Sequence, residues 1–335
     1  MMSKIRYAIV GSGWRSEFYV RIAKAMPEQF EAAAMLCRTP EKAKLMHERT
    51  GVYTTVSEAE CASLKPDFVV VAVNKADIFK VTRNWINKGF PVLCETPAAL
   101  NLEDLEDAWQ LQCYGARIQV AEQYHLFPQY EAAIKAVKEG LIGEPWAVDL
   151  SAAHGYHGVS LIRRMLGIGF ENASFIGKRF SFPVLETAGR CGAIEDGEIS
   201  NKDRIRLDIE FESGKTGFYD FSSVQYHSLI RSTGYRIQGT TGEIKDGHAV
   251  FMENGVPAAK TLTWENPLAN FGLSEDETAI ARMLLGMKSY VDTGMEIYPL
   301  REALQDAYFS ILMDRALLHP YELIHSETQM WGWQT

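Results

Sequence analysis

Ile5-Arg-Tyr-Ala-Ile-Val-Gly-Ser-Gly-Trp-Arg-Ser16 is the stretch that decides the fold. A short apolar run, Tyr7 to Val10, stops at Gly11, a second glycine follows at Gly13, and a helical pattern begins after Ser16. Strand, tight turn and helix start, in that order, are the opening of a dinucleotide-binding unit. Gly11 permits the sharp turn out of the strand. Gly13 removes the Cβ that would keep backbone N–H groups away from a pyrophosphate. The helix, starting near Arg15, aims its partial positive end at the phosphates. Ser16 stands where the fingerprint carries a third glycine, small but not ideal for close helix–strand packing. A plain glycine turn in an unrelated α/β domain has the same local pattern, so the surrounding chain has to decide.

Working outward, strand and helix signals alternate through the first third. Strands are expected at Tyr7–Val10, Glu31–Cys37, Phe68–Val73, Val92–Cys94 and Ile118–Ala121, and helices at Glu17–Met26, Pro40–Thr50, Ile78–Lys88 and Leu102–Tyr114. Phe68-Val-Val-Val-Ala-Val73 lacks polar alternation, as a strand buried on both faces must. Short connections between such strands and helices predict a parallel, doubly wound sheet.

From about Gln123 the pattern changes. One helix, Tyr130–Glu139, ends at Gly140, and His157–Leu166 reads as another. Arg204–Glu212 alternates polar and apolar residues at period two, and Ser213-Gly-Lys215 turns it into Thr216–Ser222 as a hairpin. Tyr235–Gly239 and Ala249–Met252 flank a further turn-rich stretch. An open, mostly antiparallel sheet follows, closed by helices at Glu275–Val291 and Leu300–Leu318. Residues 328–335, with Trp331 and Trp333, form an arm over a partner subunit or pack on their own chain. The fold class expected is therefore α/β: a Rossmann domain over residues 1–122 and an α/β domain with an open sheet over 123–335.

The chain's 335 residues suit two domains better than one core. A formal net charge of −9, with no basic tract, argues against nucleic acid as a partner. No apolar stretch approaches the roughly 18 residues of a membrane span, and the N-terminus runs straight into a strand without a signal-peptide core. The 5 cysteines are odd in number and lack Cys-x-x-Cys spacing, which predicts a reduced, cytoplasmic protein without a structural metal or disulfide framework.

Taken together, several segments resemble the glucose–fructose oxidoreductase / inositol dehydrogenase / MocA family. They are Ala8–Gly13, Pro66–Val73, Gly89–Pro97, Ala121–Pro128, Gly140–Pro145, His157–Arg163, Gly239–Ile244 and Tyr298–Leu304, in an order and spacing that span nearly the whole chain. The resemblance implies hydride transfer between NAD(P) and a sugar, polyol or related hydroxy compound. It also implies assembly through the open sheet as a homodimer or homotetramer. Cofactor contacts are expected from Gly11, Ser12, Gly13, Trp14, Arg15, Cys37, Arg38, Val73, Asn74, Glu95 and Gln123, with Arg15 on the pyrophosphate and Trp14 over the nicotinamide side. The second strand ends without a carboxylate to bind a ribose 2′-hydroxyl, and Arg38 follows it, a cation suited to a 2′-phosphate. NADP is the expected cofactor and NAD the alternative.

His157 matches the family's base, and histidine suits that task because its pKa moves readily across neutrality. His154, Tyr156, Tyr124 and Ser160 are candidate substrate contacts. Two departures stand out. The family's Glu-Lys-Pro reads Glu95-Thr96-Pro97 here, so Thr96 replaces a charged lysine. Ser160 replaces an expected aspartate. Lys75, in Asn74-Lys-Ala76, is a candidate substitute cation. The departures keep two other readings open: a non-catalytic dinucleotide sensor, and a redox-neutral lyase or hydrolase that uses bound nicotinamide.

Overall fold

The computed structural model describes residues 4–333. They form two compact units, 4–127 with 266–307, and 128–265 with 308–333.

The first unit begins with β1 (Ile5–Val10), α1 (Trp14–Ala25), β2 (Phe30–Leu36), α2 (Pro40–Thr50), β3 (Thr54–Thr55), α3 (Glu58–Ser63), β4 (Phe68–Val71), α4 (Ile78–Asn87), β5 (Val92–Cys94), α5 (Leu102–Cys113) and β6 (Ile118–Val120). The strands pair in parallel in the order β3-β2-β1-β4-β5-β6. Every residue of β4, β5 and β6 is buried, as the unalternating apolar runs require. Local chemistry sets α2 exactly: the Thr39 hydroxyl accepts the Lys42 N–H, Pro40 opens the helix, and Gly51 closes it in the left-handed region. α1 begins three residues earlier than the apolar pattern implies, with Gly13 as its N-cap, so Trp14 and Arg15 lie in its first turn. The short β3 and α3 carry no periodic signal, which is why they escape the sequence reading.

The second unit begins with α6 (Pro128–Lys138), β7 (Pro145–Ser151), α7 (Gly155–Leu166), β8 (Ala173–Leu185), β9 (Ala188–Gly189), β10 (Gly192–Ala193), β11 (Ile199–Phe211), β12 (Thr216–Phe221), β13 (Gly234–Gly239), β14 (Gly242–Lys245), β15 (His248–Glu253) and β16 (Val256–Thr261). With β17 (Ile324–His325), nine of these strands form one sheet, ordered β16-β15-β14-β13-β7-β12-β11-β8-β17. Only β7 and β12 pair in parallel. β12 alternates strictly, Gly217, Tyr219 and Phe221 buried and Phe218 exposed, as a sheet with one covered face demands. α7 lies close on the covered face. A Cβ at Gly158 would come within 2.5 Å of the Tyr219 ring, and one at Gly217 within 2.7 Å of Ile162. β11 starts five residues before the alternation at Arg204. Residues 199–204 pair with β8 alone, so the two strands continue as a ribbon past the end of β12.

Two long helices follow, α8 (Glu275–Thr293) and α9 (Leu300–Leu318). The domain boundary expected at 122/123 places all of α8 in the second domain; the packing places it in the first. Ile280, Leu284 and Met287 of α8 are buried in the same core as Phe18, Tyr19 and Ile22 of α1. A 19-residue helix with such a stripe gains most by burial on that core, each large side chain contributing about 1.5–3 kcal/mol. α9 passes from one unit to the other at Ala307. In the second unit its Phe309 meets Phe175 and Phe211 at 5.3 and 6.2 Å between ring centroids. Trp331 is fully buried and sits edge-on to Tyr308 at 6.3 Å, so of the two placements for the terminal tryptophans it packs on its own chain. Trp333 is exposed, and residues 334 and 335 lie outside the described residues.

Candidate functional site

In the first unit, β1 delivers the chain to Gly11, whose N–H donates to Leu36 O at 3.1 Å, so the turn is tied to the tip of β2. Gly11 has φ +123°, and a Cβ on it would stand 2.1 Å from Ala72 O. No side chain but hydrogen fits there. Gly13 differs: its backbone is extended, and a Cβ would meet nothing within 4 Å. The protein's own packing therefore does not require glycine at 13. Open space before the N-terminus of a 12-residue helix that no side chain caps among the described residues is what a diphosphate needs. Ser16 is fully buried beneath this turn and takes the third-glycine position without displacing Gly11. The residues present fit a dinucleotide.

The side chains around the turn are less available than their spacing suggests. Arg15 Nη1 donates to both carboxylate oxygens of Asp276, at 3.1 and 3.2 Å, and Nε lies 3.6 Å from Glu95. Its guanidinium also covers the Phe18 ring at 4.8 Å. Burial by itself would lower the Arg15 pKa, but the Glu95 and Asp276 carboxylates outweigh it and hold the group above its ordinary value. Arg15, expected on the pyrophosphate, is thus engaged by two carboxylates. Glu95 further accepts the Tyr19 hydroxyl at 2.6 Å, and burial together with that carboxylate pushes the phenol up. Gln123 donates to Asp276 at 3.3 Å. Asp276, at the start of α8, and Tyr19 are members of this cluster that sequence reasoning missed. Asp276 lies 261 positions from its partner Arg15, and no local pattern announces such a pair.

Trp14 is half exposed and edge-on to Phe18 at 4.5 Å. Burial raises the Cys37 thiol, and the neighbouring Ser12 opposes the rise. Arg38 is exposed just before α2, 3.6 Å from Asp77. Val73 and the exposed Asn74 and Lys75 lead into a single helical turn, Lys75–Asp77. Glu95 and Thr96 are buried directly after β5. Tyr124 opens a helical turn after β6 and packs on Phe127 at 4.8 Å.

In the second unit, β7 runs through Ala152 and Ala153 into α7, with His154 as N-cap. His157 occupies the first turn, buried, its N–H on His154 O at 3.0 Å. The His154 ring meets it edge-on at 4.9 Å, and Tyr156 does so at 5.5 Å. Tyr219 of β12 holds the turn, accepting the Gly155 N–H at 3.0 Å and donating to Ala153 O at 2.7 Å. Ser160, a candidate substrate contact, is fully buried one turn further on, like most of α7.

Tyr226 also went unnoticed. It ends a short helical turn, Ser223–Tyr226, and its hydroxyl lies 2.6 Å from His154 Nδ1. A signal existed in Ser222-x-x-Gln225, since the Gln225 side chain accepts the Ser222 N–H at 2.9 Å. A hollow of about 570 Å³ on the exposed sheet face, lined by Trp146, Gln238, Phe251 and Met252 among others, contains no residue of either cluster. Glu243 is the titratable side chain among its lining residues, and neither the glycine turn nor the histidines reach it. Among the described residues, no helix is long and apolar enough to cross a membrane.

The family model of the oxidoreductases with an NAD-binding Rossmann fold matches residues 5–121. No curated protein sequence matches the chain. Among solved structures, an oxidoreductase from Agrobacterium radiobacter in complex with NAD+, L-tartaric acid and magnesium shares 16% identity at TM-score 0.74, over 96% of this chain and 98% of that one. An aldose–aldose oxidoreductase from Caulobacter crescentus, complexed with glycerol, shares 19% at TM-score 0.70, over 96% and 99%. An NAD binding oxidoreductase from Klebsiella pneumoniae shares 16% at TM-score 0.73, over 96% and 99%. At these identities the likeness is one of fold.

Proposed function

We propose that the chain is a member of the Gfo/Idh/MocA oxidoreductase family, whose NAD-binding Rossmann model matches residues 5–121, and that it oxidises a CH–OH group of a sugar, polyol or related hydroxy compound with NAD(P). The observation that carries this reading is the Gly11–Gly13 turn, where a Cβ at Gly13 would meet nothing within 4 Å at the uncapped start of α1. Bound there, the nicotinamide cofactor supplies the hydride acceptor. His157, in the first turn of α7, takes the hydroxyl proton. His154 and Tyr156 border it, and Tyr124 is a further substrate contact. Thr96 offers a hydroxyl where the family's lysine offers a charge, and Lys75 is the candidate replacement cation. NADP is the proposed cofactor, with NAD as the alternative, since Arg38 and no carboxylate stands at the tip of β2. Assembly through the open sheet as a homodimer or homotetramer, in the cytoplasm, belongs to the same reading.

The test is a panel of sugars, polyols and hydroxy acids followed by nicotinamide absorbance, with His157→Asn beside the unaltered protein. The expected outcome is turnover that falls about 10²–10⁴-fold in the variant while dinucleotide affinity is retained. Dinucleotide binding without turnover on any member of the panel would instead make the chain a sensor. A co-purifying cofactor that is never consumed would favour redox-neutral chemistry.

A further inference from the structure

We infer that Asp77 sets the choice of cofactor: its carboxylate reaches the tip of β2 from the far side of β1 and accepts the adenosine ribose 2′-hydroxyl of NAD, while its ion partner Arg38 takes the 2′-phosphate of NADP. This deepens the proposed function and rests on its reading of Arg38. Cys37 and Arg38 follow β2, so no acid stands where a dinucleotide fold ordinarily carries one. The topology supplies one from another strand. β2 and β4 pair in parallel with β1 on its two sides, so the C-terminal ends of all three lie at one edge of the sheet. Gly11 follows β1, Arg38 lies just past β2, and Asp77 closes the turn Lys75–Asp77 after β4. Arg38 Nη2 stands 3.6 Å from Asp77 Oδ2, so the pair crosses the end of β1 beside the glycine turn.

Asp77 is turned toward Arg38 and away from the use its own position invites. It is the N-cap of α4, where an aspartate ordinarily accepts one of the first N–H groups of the helix, yet among the described residues its side chain makes no such bond. Arg38 is 75% exposed and Asp77 48%, so a ligand can reach both. At that exposure and separation the ion pair is weak, and parting it costs little. The two groups then answer to different chemistry. A 2′-hydroxyl donates, and a carboxylate accepts from it. A 2′-phosphate accepts, and a guanidinium holds it through two bonds while a carboxylate repels it. Asp77 therefore favours NAD and opposes NADP, and Arg38 does the reverse.

The test is calorimetric titration of the full chain with NAD+ and with NADP+, comparing the unaltered protein, Asp77→Asn, Arg38→Ala and the double variant. Asparagine has the size of aspartate and caps helices as well, so the fold is retained. Asp77→Asn should weaken NAD+ about fivefold and tighten NADP+ about threefold. The loss for NAD+ should persist in the Arg38→Ala background, since the carboxylate itself meets the hydroxyl. A residue with a merely structural role would move both cofactors in one direction, and that result overturns the assignment. So does a loss for NAD+ that disappears once Arg38 is removed, because Asp77 would then act through its partner alone. If Asp77→Asn shifts neither cofactor while Arg38→Ala weakens NADP+, this assignment fails and the reading of Arg38 stands. If the unaltered protein binds neither cofactor, both fall together with the dinucleotide reading.

Discussion

The dinucleotide turn and the histidine cluster are built in opposite ways. The turn does its work with backbone: Gly11, Gly13 and the first N–H groups of α1 are consecutive in the chain. The histidine cluster works with side chains brought from β7, α7, β12 and the Ser223–Tyr226 turn, up to 72 residues apart. Recognition carried by backbone survives sequence drift, because many residues supply the same amide. Recognition carried by side chains changes with each substitution. That contrast is why the turn stands out in the sequence and the partners of the histidines do not.

The contrast can be broken most decisively at the two glycines. Gly11→Ala sets a methyl group against Ala72 O at a left-handed φ, and should cost about 4 kcal/mol of stability in denaturant unfolding. Gly13→Ala should cost less than about 1 kcal/mol yet weaken dinucleotide binding at least tenfold by calorimetry. Equal loss of fold in both would show that Gly13 serves structure and not a ligand. Next in size, Leu284→Ala removes a fully buried side chain of α8 from the α1 core and should cost about 3 kcal/mol. A negligible loss would detach residues 266–307 from the first unit. Arg38→Ala should weaken NADP binding about tenfold, roughly 1.4 kcal/mol, with NAD barely affected. Equal loss for both cofactors would remove Arg38 from the 2′-phosphate.

The smallest effect concerns Glu296, which burial holds above its ordinary carboxyl value despite bonds from Gln112, Gln119 and the Leu300 N–H. The folded state therefore keeps the proton more tightly than the unfolded chain. Its contribution is fully present below the unfolded pKa and is lost as pH rises through the folded one. Glu296→Gln should gain melting temperature relative to the unaltered protein between pH 4 and pH 7. A constant difference across that range would mean that Glu296 is not desolvated.

What could be read from sequence follows the same division. α2, β5 and α9 have their expected ends to the residue, because caps, proline, glycine and apolar period act within a few positions. β8 was not delimited, since Gly177 and Pro183 interrupt any run and its 13 residues are held extended by pairing with β11. In the turn, Gly11 and Gly13 are legible as a local motif. Asp276 and Tyr226 are not, because what matters is a partner chosen by tertiary packing.

The return of residues 266–307 to the first unit has a consequence for synthesis on the ribosome. Chains are made from the N-terminus onward, and domains ordinarily fold as they emerge. Here six parallel strands are complete by Val120, yet the helix that seals α1 leaves the exit tunnel only after Thr293 has been added. For more than half of its translation the nascent chain carries an apolar stripe on α1 awaiting its cover. That is the interval in which holdase chaperones would engage it, and in which a stalled or truncated product would aggregate.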